Sequence, residues 1–188
     1  MTGAVAIWLI GSGTFDWDHA SAAVDDGAKS KAAFIEASKV FFSPRCANCH
    51  PAGDAPTQGD ERRVHDQDIK RGADGTGLAG MECSTCHQAD NLDGDGLPPV
   101  APNWHMPPAD NKLVFQGLTA GQLCRQLKEP ARKEGSKSLK ESIRHVETDP
   151  LVKWAWAPGG SRMTPPISQS ELIKKLNEWI DNGASCPE

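Results

Sequence analysis

Two copies of one five-residue pattern constrain this chain more than any other feature. Each copy is C-x-x-C-H, and they consist of Cys46, Cys49 and His50 in the first motif and Cys83, Cys86 and His87 in the second. The pattern is typical of c-type haem attachment. Two thiols at this spacing form thioethers with the vinyl groups of a porphyrin, and the adjacent histidine binds the iron. The sequence therefore predicts two covalently attached haem c groups.

Two other sites use paired C-x-x-C sequences, namely zinc ribbons and redox dithiols. Neither needs a histidine directly after the second cysteine. With six histidines in 188 residues, both motifs would have one by chance about once in a thousand cases. Leu, Ile, Val and Phe make up only about 18% of the chain, a low proportion for a folded protein. Two porphyrin faces would supply the missing apolar surface.

Charge and hydropathy exclude two classes of partner. The formal net charge is −5, and the sequence has no basic stripe, so nucleic acid is not an expected partner. No stretch approaches the roughly 18 consecutive apolar residues of a membrane-spanning helix.

The N-terminus has features of an export signal. A short apolar run covers residues 4–10, and Ala20-Ser-Ala22 offers a small-x-small cleavage site, which together predict a signal segment over residues 1–22. No Lys or Arg precedes the apolar run, so a misplaced start or a buried N-terminal strand are alternatives. We expect a periplasmic protein, with residues 23–188 forming a single dihaem domain. Its haem-binding part is predicted over about 41–112 and a helical, disulfide-tied part over about 113–188.

Cys124 and Cys186 lie outside the motifs. In an exported protein, an even leftover pair usually forms a disulfide. The alternative is two free, buried thiols.

Helix signals are strongest in the C-terminal part. Helices are predicted over about 27–42, over about 120–128, from Ser138 to just before Pro150, and from Ser168 to Asn182-Gly183. Residues 51–112 are rich in Gly, Pro, Asp and Asn, which predicts loops. The predicted fold is a compact, mainly α dihaem cytochrome c with extensive irregular loops and little or no sheet. The motifs begin 37 residues apart, too close for separate monohaem folds, so the two haems should lie close together in one domain.

The second axial ligand of each iron decides between carrier and enzyme, because electron carriers fill both axial positions and catalytic haems leave one open. The candidates are His65, His105, His145, Met106 and Met163. For His65 and His145 the alternative is a solvated surface histidine. His105 and Met106 are adjacent in a Pro-flanked loop, so at most one of them is expected to ligate. Met163 is also suited to filling a gap in the core.

Several longer segments carry a family resemblance. They are Cys49-His-Pro-Ala-Gly-Asp-Ala-Pro with His65, Cys83-Ser-Thr-Cys-His-Gln, Leu123-Cys-Arg-Gln-Leu-Lys, His145-Val-x-x-Asp-Pro-Leu-Val-Lys-Trp-Ala-Trp-x-Pro-Gly, and Gly183-Ala-Ser-Cys-Pro. The chain resembles, from about residue 41 to 187, the small dihaem cytochrome c proteins labelled isoquinoline 1-oxidoreductase subunits. The resemblance implies an electron acceptor of a periplasmic molybdenum hydroxylase that passes electrons to the respiratory chain. It also favours His65 and His145 as distal ligands, with His105 next.

The expected function is therefore electron transfer between a redox enzyme, such as a dehydrogenase or hydroxylase, and a downstream acceptor, without catalysis by the chain itself. The alternative is a dihaem enzyme with one open iron, such as a small peroxidase, in which Arg63, Arg71 or Arg162 would supply a distal cation.

Overall fold

In the computed structural model, residues 17–89, 97–129 and 138–188 are described. Residues 1–16 of the predicted signal segment lie outside them. The helices are α1 (Trp17–Phe41), α2 (Pro44–Ala47), α3 (Ala120–Lys128), α4 (Leu139–Thr148), α5 (Pro150–Trp154) and α6 (Gln169–Asp181). Short 3₁₀ turns cover Asp66–Asp68, Cys83–Thr85 and Ala109–Asn111.

The apolar core lies between α1, α3, α4 and α6. The ring of Phe34 on α1 packs against that of Trp179 on α6, with 4.7 Å between ring centroids. The Ser30 hydroxyl donates to the carbonyl of Trp179 at 2.8 Å and accepts from the Ser185 amide at 2.9 Å. Other buried members of this core are Ala33, Ala37, Val40, Phe41, Phe115, Leu123, Cys124, Ile143, Leu172 and Leu176. The helical stripes seen in the sequence therefore face one another.

Side-chain caps fix where three of the helices begin. Thr119 forms a capping box with Gln122 at the start of α3, and Ser138 forms one with Glu141 at the start of α4. At α6, the Ser168 side chain accepts from the amide of Glu171. These starts confirm the predictions, because each cap satisfies amide groups that a helix leaves without a partner.

Two helix assignments differ from the sequence-based expectation. Helix α1 begins at Trp17, earlier than the predicted start near Gly27, because the Ala-rich residues 20–23 favour helix and one interior glycine costs only about 1 kcal/mol. Helix α5 was not predicted. It begins at Pro150, which is tolerated at the first helical position, and Asp149 caps it by accepting from the amide of Leu151 at 2.8 Å.

Cys124 and Cys186 form a disulfide with 5.5 Å between their Cα atoms, in agreement with the expected pairing. The bond joins α3 to the C-terminal tail. The tail packs so closely on α3 that a Cβ built at Gly121 would lie 2.4 Å from the carbonyl oxygen of Pro187.

Between α2 and α3 the chain is mostly irregular, as predicted. Its regular structure includes two antiparallel hairpins of two-residue strands: β1 (Thr57–Gln58) with β2 (Arg63–Val64), and β3 (Gly77–Leu78) with β4 (Met81–Glu82). Thr57 lies opposite Val64 in the first hairpin, and Gly77 lies opposite Glu82 in the second. The expectation of a mainly α fold with little sheet is confirmed.

Backbone hydrogen bonds hold this loop region together. The Met106 amide donates to the Gly75 carbonyl at 2.9 Å, and the Ala109 amide donates to the Ala73 carbonyl at 3.0 Å. Gly75 has a φ of +90°, and a Cβ there would lie 1.9 Å from the Met106 carbonyl oxygen. Only glycine permits this approach, which docks the loop carrying Met106 beside the second motif.

No helix in the described part of the chain is long and apolar enough to cross a membrane.

Candidate functional site

The first motif lies on a short helical turn. Helix α2 has Pro44 at its start. The Cys49 amide donates to the Cys46 carbonyl, and the His50 amide donates to the Ala47 carbonyl, each at 3.2 Å. Residues three and four apart on a helical turn share one face, so both thiols and the imidazole of this motif lie on one side of it.

The second motif has the same local geometry. It forms a 3₁₀ turn over Cys83–Thr85, in which the Cys86 and His87 amides donate to the Cys83 carbonyl at 3.3 and 2.9 Å. Both C-x-x-C-H sequences therefore lie on single helical turns.

Both motif histidines are held by a backbone carbonyl. Nδ1 of His50 lies 2.7 Å from the carbonyl oxygen of Leu113, and Nδ1 of His87 lies 2.6 Å from that of Pro99. A carbonyl only accepts, so Nδ1 carries the proton and Nε2 carries the lone pair. Metal-binding histidines are typically oriented in this way. The rings also stack on aromatic neighbours, His50 on Phe115 and His87 on Trp104, at centroid distances of 4.0 and 4.2 Å.

His65 lies beside His87. The centroids of their rings are 6.2 Å apart, with 65° between the ring planes. Nδ1 of His65 is 2.7 Å from the carbonyl oxygen of Asp66, so the lone pair of this ring is also on Nε2. Two imidazole nitrogens on opposite sides of a metal, each about 2 Å from it, would place the ring centroids about 6 Å apart. The observed spacing fits an iron between the two rings.

The first hairpin brings His65 to this position. The Thr57 amide donates to the Asn48 carbonyl at 2.9 Å, and the Thr57 hydroxyl donates to Oδ1 of Asn48 at 2.7 Å. The His65 amide donates to the Pro56 carbonyl at 3.0 Å. Asn48 is one of the two variable residues of the first motif, so the loop anchored on that motif carries the histidine that faces the second. Sequence analysis did not single out Asn48, although its place between the motif cysteines was a signal.

The other candidate ligands have different surroundings. His105 and His87 line one cavity of about 350 Å³. Nδ1 of His105 is hydrogen-bonded to the carbonyl oxygen of Asn103. Met106 is buried.

The His145 side chain is 41% exposed, with Nδ1 3.5 Å from a carboxylate oxygen of Asp149. Met163 is 55% exposed, so it does not fill a gap in the core.

The cysteines of the first motif are partly buried. Burial raises the pKa of Cys46 to about 12 and that of Cys49 to about 11, and the nearby Cys83 raises the pKa of Cys49 further. Redox dithiols need a lowered thiol pKa to supply a thiolate, so these values do not support the redox-dithiol alternative. The influence of Cys83 on Cys49 also agrees with the expectation that the motifs lie close together.

Within residues 17–89, 97–129 and 138–188, no group of three or more His, Cys, Asp or Glu side chains is arranged to hold a metal ion. A haem iron takes at most two side-chain ligands from the protein, so this observation on groups of three or more does not bear on haem.

Two buried arginines flank the motifs. Arg71 is 1% exposed, and its guanidinium donates to the carbonyls of Pro107 at 2.5 Å and Gly53 at 3.0 Å. Arg45 forms an ion pair with Asp60 next to the first motif. Sequence analysis considered Arg71 only as a distal cation and did not find Arg45. Nothing in the local sequence indicates that these two arginines, of all those in the chain, are buried.

Comparisons with known proteins add no relative: no protein-family model matches the chain, and it has no significant match among curated proteins or solved structures. The family resemblance stays a prediction, and the function is argued from the site.

Proposed function

We propose that this protein is a periplasmic electron carrier with two covalently attached haem c groups. The observation that carries the proposal is the pair formed by His65 and His87. Both imidazoles donate through Nδ1 to a backbone carbonyl, and their centroids are 6.2 Å apart. The same Nδ1 arrangement at His50 supports an equivalent role for the first motif.

Each motif has a defined role in this proposal. His65 and His87 would hold the iron of the haem on the second motif, and His50 would hold that of the first, with His145 or His105 as its expected partner. The attached residues are Cys46, Cys49, Cys83 and Cys86 as thioethers, with His50 and His87 as proximal ligands.

The chain's residues would favour one-electron transfer over catalysis. When bound, haem supplies an iron that gains and loses one electron. The Pro99 carbonyl fixes the tautomer of His87 and raises its basicity as a ligand, and stacking on Trp104 fixes the plane of its ring. If both imidazoles hold the iron, it would be closed to a substrate.

The contact between His65 and His87 also supports transfer between the two haems. A loop anchored on the first motif would supply a ligand to the haem of the second, so the two centres share one set of loops. Electrons would enter from a redox enzyme, for which the resemblance implies a molybdenum hydroxylase, and leave to a downstream acceptor. Redox encounters of this kind are usually small and transient.

A haem count tests the proposal. The protein is produced in a host that attaches haem c, denatured, and assayed for haem that stays with the chain. We expect two haems per chain, and one in the double variant Cys83→Ala/Cys86→Ala. The double variant Cys124→Ala/Cys186→Ala is the matched control and should keep both. A chain that retains no haem after denaturation would show that the proposal is wrong.

A further inference from the structure

Two buried N–H donors next to the first motif have no hydrogen-bond acceptor among the described residues. They are Nε of Arg45 and Nε1 of Trp154. Arg45 directly precedes the motif, its side chain is 4% exposed, and its guanidinium carbon lies 5.9 Å from the centre of the Trp154 ring. A buried donor without an acceptor is unfavourable, so the complete protein is expected to supply an acceptor here. Nε of Arg71 is also without a hydrogen bond, but it faces a carboxylate oxygen of Asp54 at 3.6 Å.

The surroundings of these two donors carry an excess of positive charge. Burial lowers the pKa of Arg45; Asp60 opposes this effect, and the positive charge of Arg162 adds to it. The Arg162 guanidinium donates to backbone carbonyls, at 2.6 Å for Leu97 and 3.2 Å for Pro158. The carboxylate of Asp60 pairs with Arg45 and accepts from the Met163 amide at 3.2 Å, so it balances one of the two guanidinium charges. The expected acceptor is therefore an anion.

This group of residues adjoins the second motif. The centroid of the Trp154 ring lies 4.9 Å from that of the Trp104 ring, and Trp104 in turn stacks on His87. Leu97, which accepts from Arg162, lies two residues before Pro99, whose carbonyl holds His87. The donors of Arg45 and Trp154 are thus linked through packed rings to the proximal ligand of the second motif.

We propose that Arg45, Trp154 and Arg162 form a carboxylate-binding site for a propionate of the haem on the second motif. This inference rests on the proposed function and names the residues that would neutralise one acidic side chain of that haem. The carboxylate would accept from Nε of Arg45 and Nε1 of Trp154, and such charge-assisted hydrogen bonds are stronger than those between neutral groups. Arg162 would supply the balancing charge.

The substitution Trp154→Phe tests the site, because it removes the N–H donor and keeps an aromatic ring. The matched control is Trp156→Phe, because Nε1 of Trp156 already donates to the Ile167 carbonyl at 2.8 Å. The readout is the propionate bending band in the resonance Raman spectrum of the holoprotein. We expect Trp154→Phe to shift this band for one of the two haems and Trp156→Phe to shift it for neither.

A second variant keeps the inference testable if Trp154→Phe does not fold. Arg162→Gln removes the balancing charge and should disfavour reduction of one haem about tenfold, a drop of about 59 mV in its potential. An unchanged band together with unchanged potentials in a protein carrying two haems would overturn the inference and leave the proposed function standing. A chain without covalent haem would overturn both.

Discussion

The helical core and the loop region between α2 and α3 are stabilised by different means. In the core, Phe34, Leu123 and Trp179 are almost fully buried against other apolar side chains. In the loop region, Val64 is 66% exposed and Leu78 is 49% exposed, whereas the charged Arg71 is buried. The core is filled by side chains of the protein itself. The loop region thus leaves some apolar side chains exposed, which a large, flat, apolar cofactor would cover, and it holds one arginine inside.

The cavities agree with this contrast. Val64 and Leu78 line an open cavity of about 740 Å³, together with Pro51 from the chain directly after the first motif. The smaller cavity contains His87 and His105. Apolar surface beside both motifs would lose contact with water when haem binds, a favourable change of about 25 cal/mol per Å².

The largest expected effect is in the core. Phe34→Ala removes a fully buried ring that packs on Trp179, and such a cavity lowers the free energy of unfolding by about 4 kcal/mol. Urea unfolding followed by far-UV circular dichroism measures it. Ile35→Ala, on the exposed side of the same helix, is the control and should cost well under about 1 kcal/mol. Equal losses would show that the two faces of α1 are wrongly assigned.

Removing the disulfide tests the join between α3 and the C-terminal tail. Cys124 and Cys186 are 62 residues apart, and in the chain-entropy model the double Ala variant should lose about 4 kcal/mol of stability. The midpoint of urea unfolding measures this loss, with the reduced wild-type protein for comparison. A variant as stable as the oxidised wild type would contradict the role given to the bond.

The loop region should depend on buried polar contacts more than on its apolar side chains. Arg71→Met keeps much of the side-chain volume but leaves the Gly53 and Pro107 carbonyls without their donors, at a cost of about 2 kcal/mol. Val64→Ala, at an exposed apolar position, should change stability by less than about 0.5 kcal/mol in the haem-free protein. The reverse order in urea unfolding would contradict the contrast drawn between the two regions.

The smallest effect concerns a helix start. Ser138→Ala removes the side chain that caps α4 and should lower the free energy of unfolding by about 1 kcal/mol. Lys140→Ala on the same turn is the control, with almost no change expected. Similar losses in the two variants would mean that the cap does not stabilise α4.

Much of the helical region could be predicted because its signals are local. The capping residues Thr119 and Ser138 lie three positions before their partners, and the apolar stripes repeat at helical spacing. The start of α1 and the short helix α5 were missed, because the first falls within the predicted signal segment and the second depends on Asp149 capping a proline start.

Less of the candidate site than of the helical region could be predicted from the sequence. The motifs identified the thiols and the proximal histidines, but the position of His65 depends on a hairpin anchored at Asn48. The burial of Arg45 depends on Asp60 and Trp154, which are distant in sequence. Contacts of this kind are set by tertiary structure and leave no periodic signal in the chain.

The most direct test of the central claim is carbon monoxide binding to the dithionite-reduced holoprotein, compared between the wild type and His65→Ala. If His65 and His87 bind the same iron, the haem of the second motif should bind no carbon monoxide in the wild type and should bind it promptly in His65→Ala. His105→Ala, which alters the other histidine of the same cavity, should leave that haem closed. Prompt binding to this haem in the wild type, or identical spectra for the wild type and His65→Ala, would contradict the account.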